Sequence, residues 1–155
     1  MRIVQYVLKT EDRGATWEAI SPDLTTNDSE KQQQKTTGGL SLDNSGAENF
    51  TTIIAIEPSK KEKGVMWVGS DDGKLHVTRD AGKNWKDLSE ALPGMPTGSW
   101  ICQIVASTHN AAEVFVVANN YRRGDWNPYV FHSKDYGESW DNLASTEKVW
   151  GYALS

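Results

Sequence analysis

The sequence predicts an all-β protein built from repeated four-stranded units, and three observations lead to that fold class. An eight-residue pattern occurs three times along the 155 residues. Short stretches rich in β-branched and aromatic residues recur at regular intervals and are bounded by turn-forming residues, as in sandwiches and other multi-stranded β folds. No stretch shows sustained helical periodicity.

The repeated pattern is a small hydroxyl residue, any residue, Asp, any residue, Gly, any residue, a small polar residue and Trp. It occupies residues 10–17, 78–85 and 133–140. Asp accepts hydrogen bonds from backbone amides two or three residues on, and Gly adopts positive φ without steric cost, so each copy is typical of a turn between two strands. We expect the Trp to anchor the hairpin to its sheet. The residues predicted to build these structural turns are Asp12, Gly14, Trp17, Asp80, Gly82, Trp85, Asp135, Gly137 and Trp140.

The chain divides into units around these turns. Residues 1–24 predict a leading hairpin, and the polar, glycine-punctuated residues 25–48 predict a long inter-unit loop that lies over one face or, as a minority alternative, binds a ligand. Residues 49–92 predict a complete unit, whose first strand contains a run at 51–56 that is apolar enough to be buried on both faces. Residues 99–145 repeat the same order of strands and turns, and residues 149–155 resemble the first strand of a further unit. The eight strands predicted within the two units lie at 49–57, 65–69, 74–78, 85–88, 99–107, 113–118, 128–133 and 140–143.

The three turns resemble the Asp-box, also called the bacterial neuraminidase repeat. This repeat occurs in β-propellers such as sialidases, sortilin-type propellers and several glycoside hydrolases. The longer stretch from Gly46 to Asp80 is similar to large exported bacterial proteins described as repeat-containing glycosyl hydrolases. The resemblance implies a β-propeller of four-stranded blades, in which the repeated turn is structural and lies away from the active site. Family members are usually exported, but the first residues show no signal-peptide pattern, so the compartment stays open.

Two complete blades, a hairpin and one trailing strand make a partial propeller, because a ring closes with about 4–8 blades. Three outcomes are open. The chain is a piece of a longer propeller, it self-associates so that two chains complete a composite blade, or it folds as an open stack with exposed sheet edges.

Composition narrows the classes of ligand. A formal net charge of −5 and the absence of a basic stripe argue against binding to nucleic acid, and no apolar run is long enough to span a membrane. No cofactor motif or metal-ligand spacing is present, so we expect neither cofactor nor metal. Cys102 is the single cysteine and stands in an apolar run, which predicts a small core residue.

Candidate ligand-binding residues come from the turns that should face away from the repeated turns, where propeller sites usually open. These turns contain a pair of acidic residues and a loop that combines two arginines with a carboxylate and aromatic rings. An aromatic plane beside Arg and Asp suits a sugar, which offers CH faces for stacking and hydroxyls for hydrogen bonding. The alternatives are an ordinary Asp-Asp-Gly turn and a loop salt bridge with the indole packed on a neighbouring blade. The candidates are Asp71, Asp72, Tyr121, Arg122, Arg123, Asp125 and Trp126.

Two functions are compatible with this sequence. The first is a non-catalytic scaffold or binding module for a glycan, a peptide or another protein chain. The second is a fragment of a glycoside hydrolase, which needs two carboxyl groups about 5–9.5 Å apart across the substrate. Asp71 or Asp72 would then require Asp125 or Glu48 as partner, or a carboxylate from missing blades or another subunit. The arginine triad of sialidases cannot be assembled, because Arg13 and Arg79 lie inside the repeated turns.

Overall fold

The computed structural model describes residues 5–32 and 50–144. These residues form short antiparallel strands and a 3₁₀ helix, Tyr121–Arg123. No helix in this part of the chain is long and apolar enough to cross a membrane. The strands are β1 (Leu8–Lys9), β2 (Glu18–Ala19), β3 (Ile53–Pro58), β4 (Met66–Ser70), β5 (Leu75–Thr78), β6 (Lys86–Asp87), β7 (Trp100–Ala106), β8 (Val114–Asn120), β9 (Asp125–Ser133) and β10 (Asp141–Asn142).

The strands are arranged as two four-stranded antiparallel meanders and one hairpin. The first sheet has the order β3-β4-β5-β6, the second has the order β7-β8-β9-β10, and β1 pairs with β2. In each sheet every strand pairs with its neighbour along the chain, which is the arrangement of a propeller blade. The predicted fold class, an all-β partial propeller, is confirmed.

The main core lies between the two blades. Strands β3 and β4 of the first blade pack against β7, the first strand of the second blade. Trp67 from β4 and Phe131 from β9 are fully buried in this core. The backbones approach closely at Gly69, where an added Cβ atom would lie 2.5 Å from Cγ2 of Ile101. A side chain at position 69 would therefore push the blades apart.

The leading hairpin packs on the first blade through a separate apolar cluster. Val7 and Leu24 are buried there together with Val68 of β4. The indole of Trp85 adds a polar link, since its Nε1–H donates to the carbonyl oxygen of Ile20 at 3.0 Å. The hairpin thus takes the place of the outer strands of a preceding blade.

Two burial predictions are wrong. Strand β3 is not buried on both faces, because its residues alternate and Ile54 and Ile56 remain 41% and 50% exposed. Cys102 is exposed and not in the core. The pairing of β7 with β8 shifts register between Ile101 and Gln103, so Cys102 is the extra residue of a β-bulge, which turns its side chain out of the alternation.

The connection between β8 and β9 is shorter than the gap between the predicted strands at 113–118 and 128–133. Strand β8 continues to Asn120, the 3₁₀ helix follows at once, and β9 begins at Asp125. The predicted strand at 149–155, most of the predicted loop at 25–48 and Glu48 lie outside the described residues.

Candidate functional site

The three repeated turns share one set of hydrogen bonds, in which the Asp carboxylate is the common acceptor. In the second turn, Asp80 accepts from the Thr78 hydroxyl at 2.9 Å, from the backbone N–H of Asn84 at 2.8 Å and from the Asn84 side chain at 2.6 Å. The first turn repeats these contacts around Asp12 and the third repeats them around Asp135. The acceptor therefore reaches an amide four residues on, farther than the sequence pattern suggested.

The backbone of each turn passes through two consecutive residues with positive φ. In the second turn these are Ala81 at 61° and Gly82 at 95°, and the other turns have closely similar values. The indole of each Trp donates to the carbonyl oxygen of its own turn's Gly at 3.1 Å. Both carboxylate oxygens of each Asp thus accept hydrogen bonds from within its own turn. The hydrogen bonds hold the pKa of Asp12 and of Asp135 at about 2, with the contacts to Thr16 and Ser139 as the largest cause.

Backbone contacts fix the edge of the blades on which these turns lie. The N–H of Ala81 donates to Gly64 in the β3–β4 connection, and the N–H of Tyr136 donates to Ala112 in the β7–β8 connection. Because successive turns of a meander alternate between its two ends, the β4–β5 and β8–β9 connections lie at the opposite edge. All ligand-binding candidates belong to that opposite edge.

Asp71 and Asp72 are buried and act as structural acceptors. Asp71 accepts the backbone N–H of Thr52 at 2.7 Å, while Asp72 accepts both the N–H and the hydroxyl of Thr26 at 2.6 and 2.7 Å. The Ser70 hydroxyl also donates to Asp72. Burial raises the pKa of Asp71 to about 6, and the neighbouring Asp72 charge adds to the rise. The pair fastens two segments to the first blade and is largely shielded from solvent.

The two arginines of the β8–β9 connection make different contacts. The guanidinium of Arg122 stacks on the ring of Trp100, with Cζ 3.5 Å from the ring centroid. Arg123 donates to the carbonyl oxygen of Thr97 and lies against Gly98. Arg123 therefore ties this connection to the segment that joins the two blades, whereas Arg122 forms part of an aromatic surface.

Asp125 orients the same connection from the other side. It accepts from the Tyr129 hydroxyl at 2.6 Å, from the Asn120 amide at 3.1 Å and from both nitrogens of Asn127. These bonds, the one from Tyr129 above all, lower the pKa of Asp125 to about 2. Asp125 is thus a fixed, ionised carboxylate at neutral pH.

An exposed aromatic surface results, which we call the β8–β9 platform and which consists of Trp100, Tyr121, Arg122 and Trp126. The rings of Tyr121 and Trp126 lie 6.2 Å apart at an interplanar angle of 31°. Trp126 is 80% exposed and Tyr121 is 44% exposed. The sequence placed three of these residues together, but it did not associate Trp100, which comes from β7, with them. In the sequence, Trp100 stands out only because it belongs to none of the repeated turns.

Residues 5–32 and 50–144 contain no group of three or more His, Cys, Asp or Glu side chains arranged to hold a metal ion. His132 contacts Glu113 at 2.9 Å and stacks on Phe115 with 4.3 Å between the ring centroids. His76 is largely buried beside Asp87, and burial lowers its pKa. Both histidines are packed between strands.

Comparison with known proteins adds a structural likeness. No model of a known protein family matches the sequence, and no match was found among curated proteins. Among solved structures, the chain is similar to YCF48 from Cyanidioschyzon merolae, with a TM-score of 0.43 and 20% sequence identity over 64% of this chain and 26% of that chain. The chain thus matches about a quarter of the length of that protein.

Proposed function

We propose that this chain is a non-catalytic binding module whose β8–β9 platform binds a glycan. The observation that carries the proposal is the 80% exposure of Trp126, next to a second exposed ring on a short, tightly held connection. An indole left in water costs free energy that a packed partner would recover. A large exposed apolar group with convergent polar neighbours is a feature of binding surfaces.

The polar groups around the rings suit a sugar. The CH face of a pyranose stacks on an aromatic plane, while its hydroxyls require donors and acceptors at the rim. Arg122 offers guanidinium N–H donors, and because it is stacked on Trp100 it loses little freedom when a ligand binds. Its Nε contacts the Tyr121 hydroxyl at 3.4 Å, so we expect its terminal nitrogens to donate to the ligand.

Rigidity supports the same role. Asp125 and Arg123 hold the connection from both sides, through Tyr129 and Thr97 respectively. Glycine in a left-handed conformation at Gly124, with φ of 74°, completes the tight turn after the 3₁₀ helix. A surface fixed before binding loses less conformational entropy when the ligand arrives.

The geometry of the described residues does not favour the alternative function, a glycoside hydrolase fragment. A general acid needs a carboxyl group with a raised pKa that reaches the substrate. Asp71 has the raised pKa but is buried against Thr52, and Asp125 is only half-buried but has its pKa lowered to about 2. The two requirements fall on different residues.

The blades themselves we propose to be of the Asp-box type. What supports this is the agreement of three turns in hydrogen bonds, positive φ angles and indole contacts, beyond the eight-residue sequence pattern. The scaffold role follows from that proposal. The repeated turns bond mainly within themselves, so we expect ligand binding at the opposite edge of the blades.

Titration with defined sugars tests the binding role. We would follow tryptophan fluorescence and calorimetric heat with cellopentaose, chitopentaose and oligogalacturonate, and use a proline-rich decapeptide as the probe of the peptide alternative. We expect a saccharide to bind the wild type, and Trp126→Ala and Tyr121→Ala to weaken that binding at least about tenfold, as truncation of an aromatic anchor does. Ile56→Ala, which also removes an exposed apolar side chain, is the matched control and should bind normally. Binding that survives Trp126→Ala, or binding of the peptide alone, would contradict the proposal.

A further inference from the structure

A recurring contact joins the second and the third repeated turn to the unit before it. The turn's Gly leaves room for an aliphatic side chain from the preceding unit. An added Cβ at Gly82 would lie 2.5 Å from the carbonyl oxygen and 3.0 Å from Cβ of Ile20. An added Cβ at Gly137 would lie 2.5 Å from Cδ1 of Leu88. We call this contact the blade joint.

The aliphatic residue of the joint occupies the same position in every unit. Ile20 and Leu88 each follow the Trp of their own repeated turn by three residues, and Leu143 has this position after Trp140. All three donate their backbone N–H across the hairpin at the same spacing along the chain. The bonds run from Ile20 to Val7 at 2.9 Å, from Leu88 to Leu75 at 2.8 Å and from Leu143 to Val130 at 2.8 Å. Leu143 therefore has the same backbone position as the two residues that insert into a joint.

The two ends of the described structure carry unmatched halves. Among the described residues, an added Cβ at Gly14 would meet Trp17 of its own turn alone, at 3.7 Å. Trp17 is 60% exposed, and Leu143 is 42% exposed, whereas Leu88 in its joint is 2% exposed. Within residues 5–32 and 50–144, the first turn thus receives no aliphatic side chain, and Leu143 meets no receiving turn.

We propose that two copies of this chain associate head to tail, with Leu143 of one copy seated against Gly14 and Trp17 of the other. This self-association is independent of the sugar-binding role of the platform, which lies at the opposite edge of the blades. A second copy fits this position, because it presents an aliphatic residue at the same backbone position as the two joints already formed. We expect the association to end at a dimer, in which a two-fold axis relates two such contacts and closes the ring.

Sedimentation velocity across a dilution series is the first test. We expect the wild-type chain to shift from dimer to single chain as it is diluted. Leu143→Asp and Trp17→Ala should raise the dissociation constant at least about tenfold, which corresponds to losing the burial of one large apolar side chain. Leu143→Ile should keep the association. Thr108→Asp adds the same charge as Leu143→Asp at an exposed position of the β7–β8 connection, and is the matched control.

Mixing the two weakened variants shows whether the contact is head to tail. A heterodimer of Leu143→Asp with Trp17→Ala retains one intact joint, between Leu143 of the second variant and Trp17 of the first. We therefore expect the mixture to associate more strongly than either variant alone. A wild type that stays a single chain at every concentration overturns the proposal, as does a dimer that neither variant weakens or that mixing fails to restore. Circular dichroism shows whether Leu143→Asp folds. If it does not, Trp17→Ala and Leu143→Ile still test the proposal.

Discussion

Alanine substitutions at Gly14 and Gly82 separate backbone strain from packing strain at the blade joint. The two glycines occupy equivalent positions in the first and second repeated turns, with φ of 94° and 95°. An alanine therefore meets the same backbone penalty at both sites. The surroundings differ, because Cβ would lie 3.7 Å from the Trp17 ring at position 14 but 2.5 Å from the Ile20 carbonyl oxygen at position 82.

The expected magnitudes follow from these two terms. A left-handed conformation costs an L-residue about 1–2 kcal/mol, and this cost applies to both variants. Gly82→Ala adds an overpacking cost of about 1–3 kcal/mol, because the atom that it meets is backbone and the leading hairpin has to move away. Gly14→Ala has no such neighbour within the described residues. We expect the difference in the free energy of unfolding between the variants to equal that overpacking cost.

Urea unfolding followed by far-UV circular dichroism measures this difference. The protein should be dilute enough that sedimentation shows single chains, so that any contact between copies does not contribute. Equal losses for the two variants would refute the reasoning, because they would mean that the hairpin does not press on Gly82. A larger loss for Gly14→Ala would refute it as well.

Three further outcomes are expected under the same dilute conditions. Since the pKa of Asp71 is raised to about 6 in the fold from an ordinary 3.8, its charge opposes folding above pH 6 and has no effect below pH 4. Asp71→Asn keeps an oxygen for the Thr52 amide, so it should be more stable than wild type by about 1–3 kcal/mol at pH 8 and equal to it at pH 4 in urea titrations; lower stability at pH 8 would contradict this. Leu88→Ala should cost about 2–5 kcal/mol of unfolding free energy as a buried truncation, whereas Leu143→Ala should cost under about 1 kcal/mol, and similar losses would argue against the burial difference. Asp135→Ala should lower the melting temperature more than Asp12→Ala, because the third turn packs on Leu88 and the first turn is exposed; the reverse order by differential scanning calorimetry would exclude this explanation.

The repeated turns were predictable from sequence because all their defining contacts are local. Every hydrogen bond of the second turn's Asp80 lies within residues 78–84, so the pattern of residue types specifies the geometry directly. Three copies of the pattern then imply three hairpins, and the strand order follows. The two four-stranded meanders agree with that expectation.

The residues whose surroundings the sequence did not indicate depend on distant or irregular contacts. Asp71 and Asp72 stand before a Gly and look like an exposed turn, but their partners Thr52 and Thr26 are 19 and 46 residues away. Cys102 has apolar neighbours, yet a β-bulge decides its direction, and nothing in those neighbours indicates the bulge. Trp100 joins the platform because β7 and the β8–β9 connection meet in space.

The blade joint has a direction, and that direction bears on how a protein of this kind can change in length. Each unit contributes a Gly that receives and, three residues after its Trp, an aliphatic side chain that inserts. A duplication of one whole unit therefore copies both halves of the joint. Deletion of a whole unit likewise leaves the two halves in matching order, whereas a partial duplication would separate them.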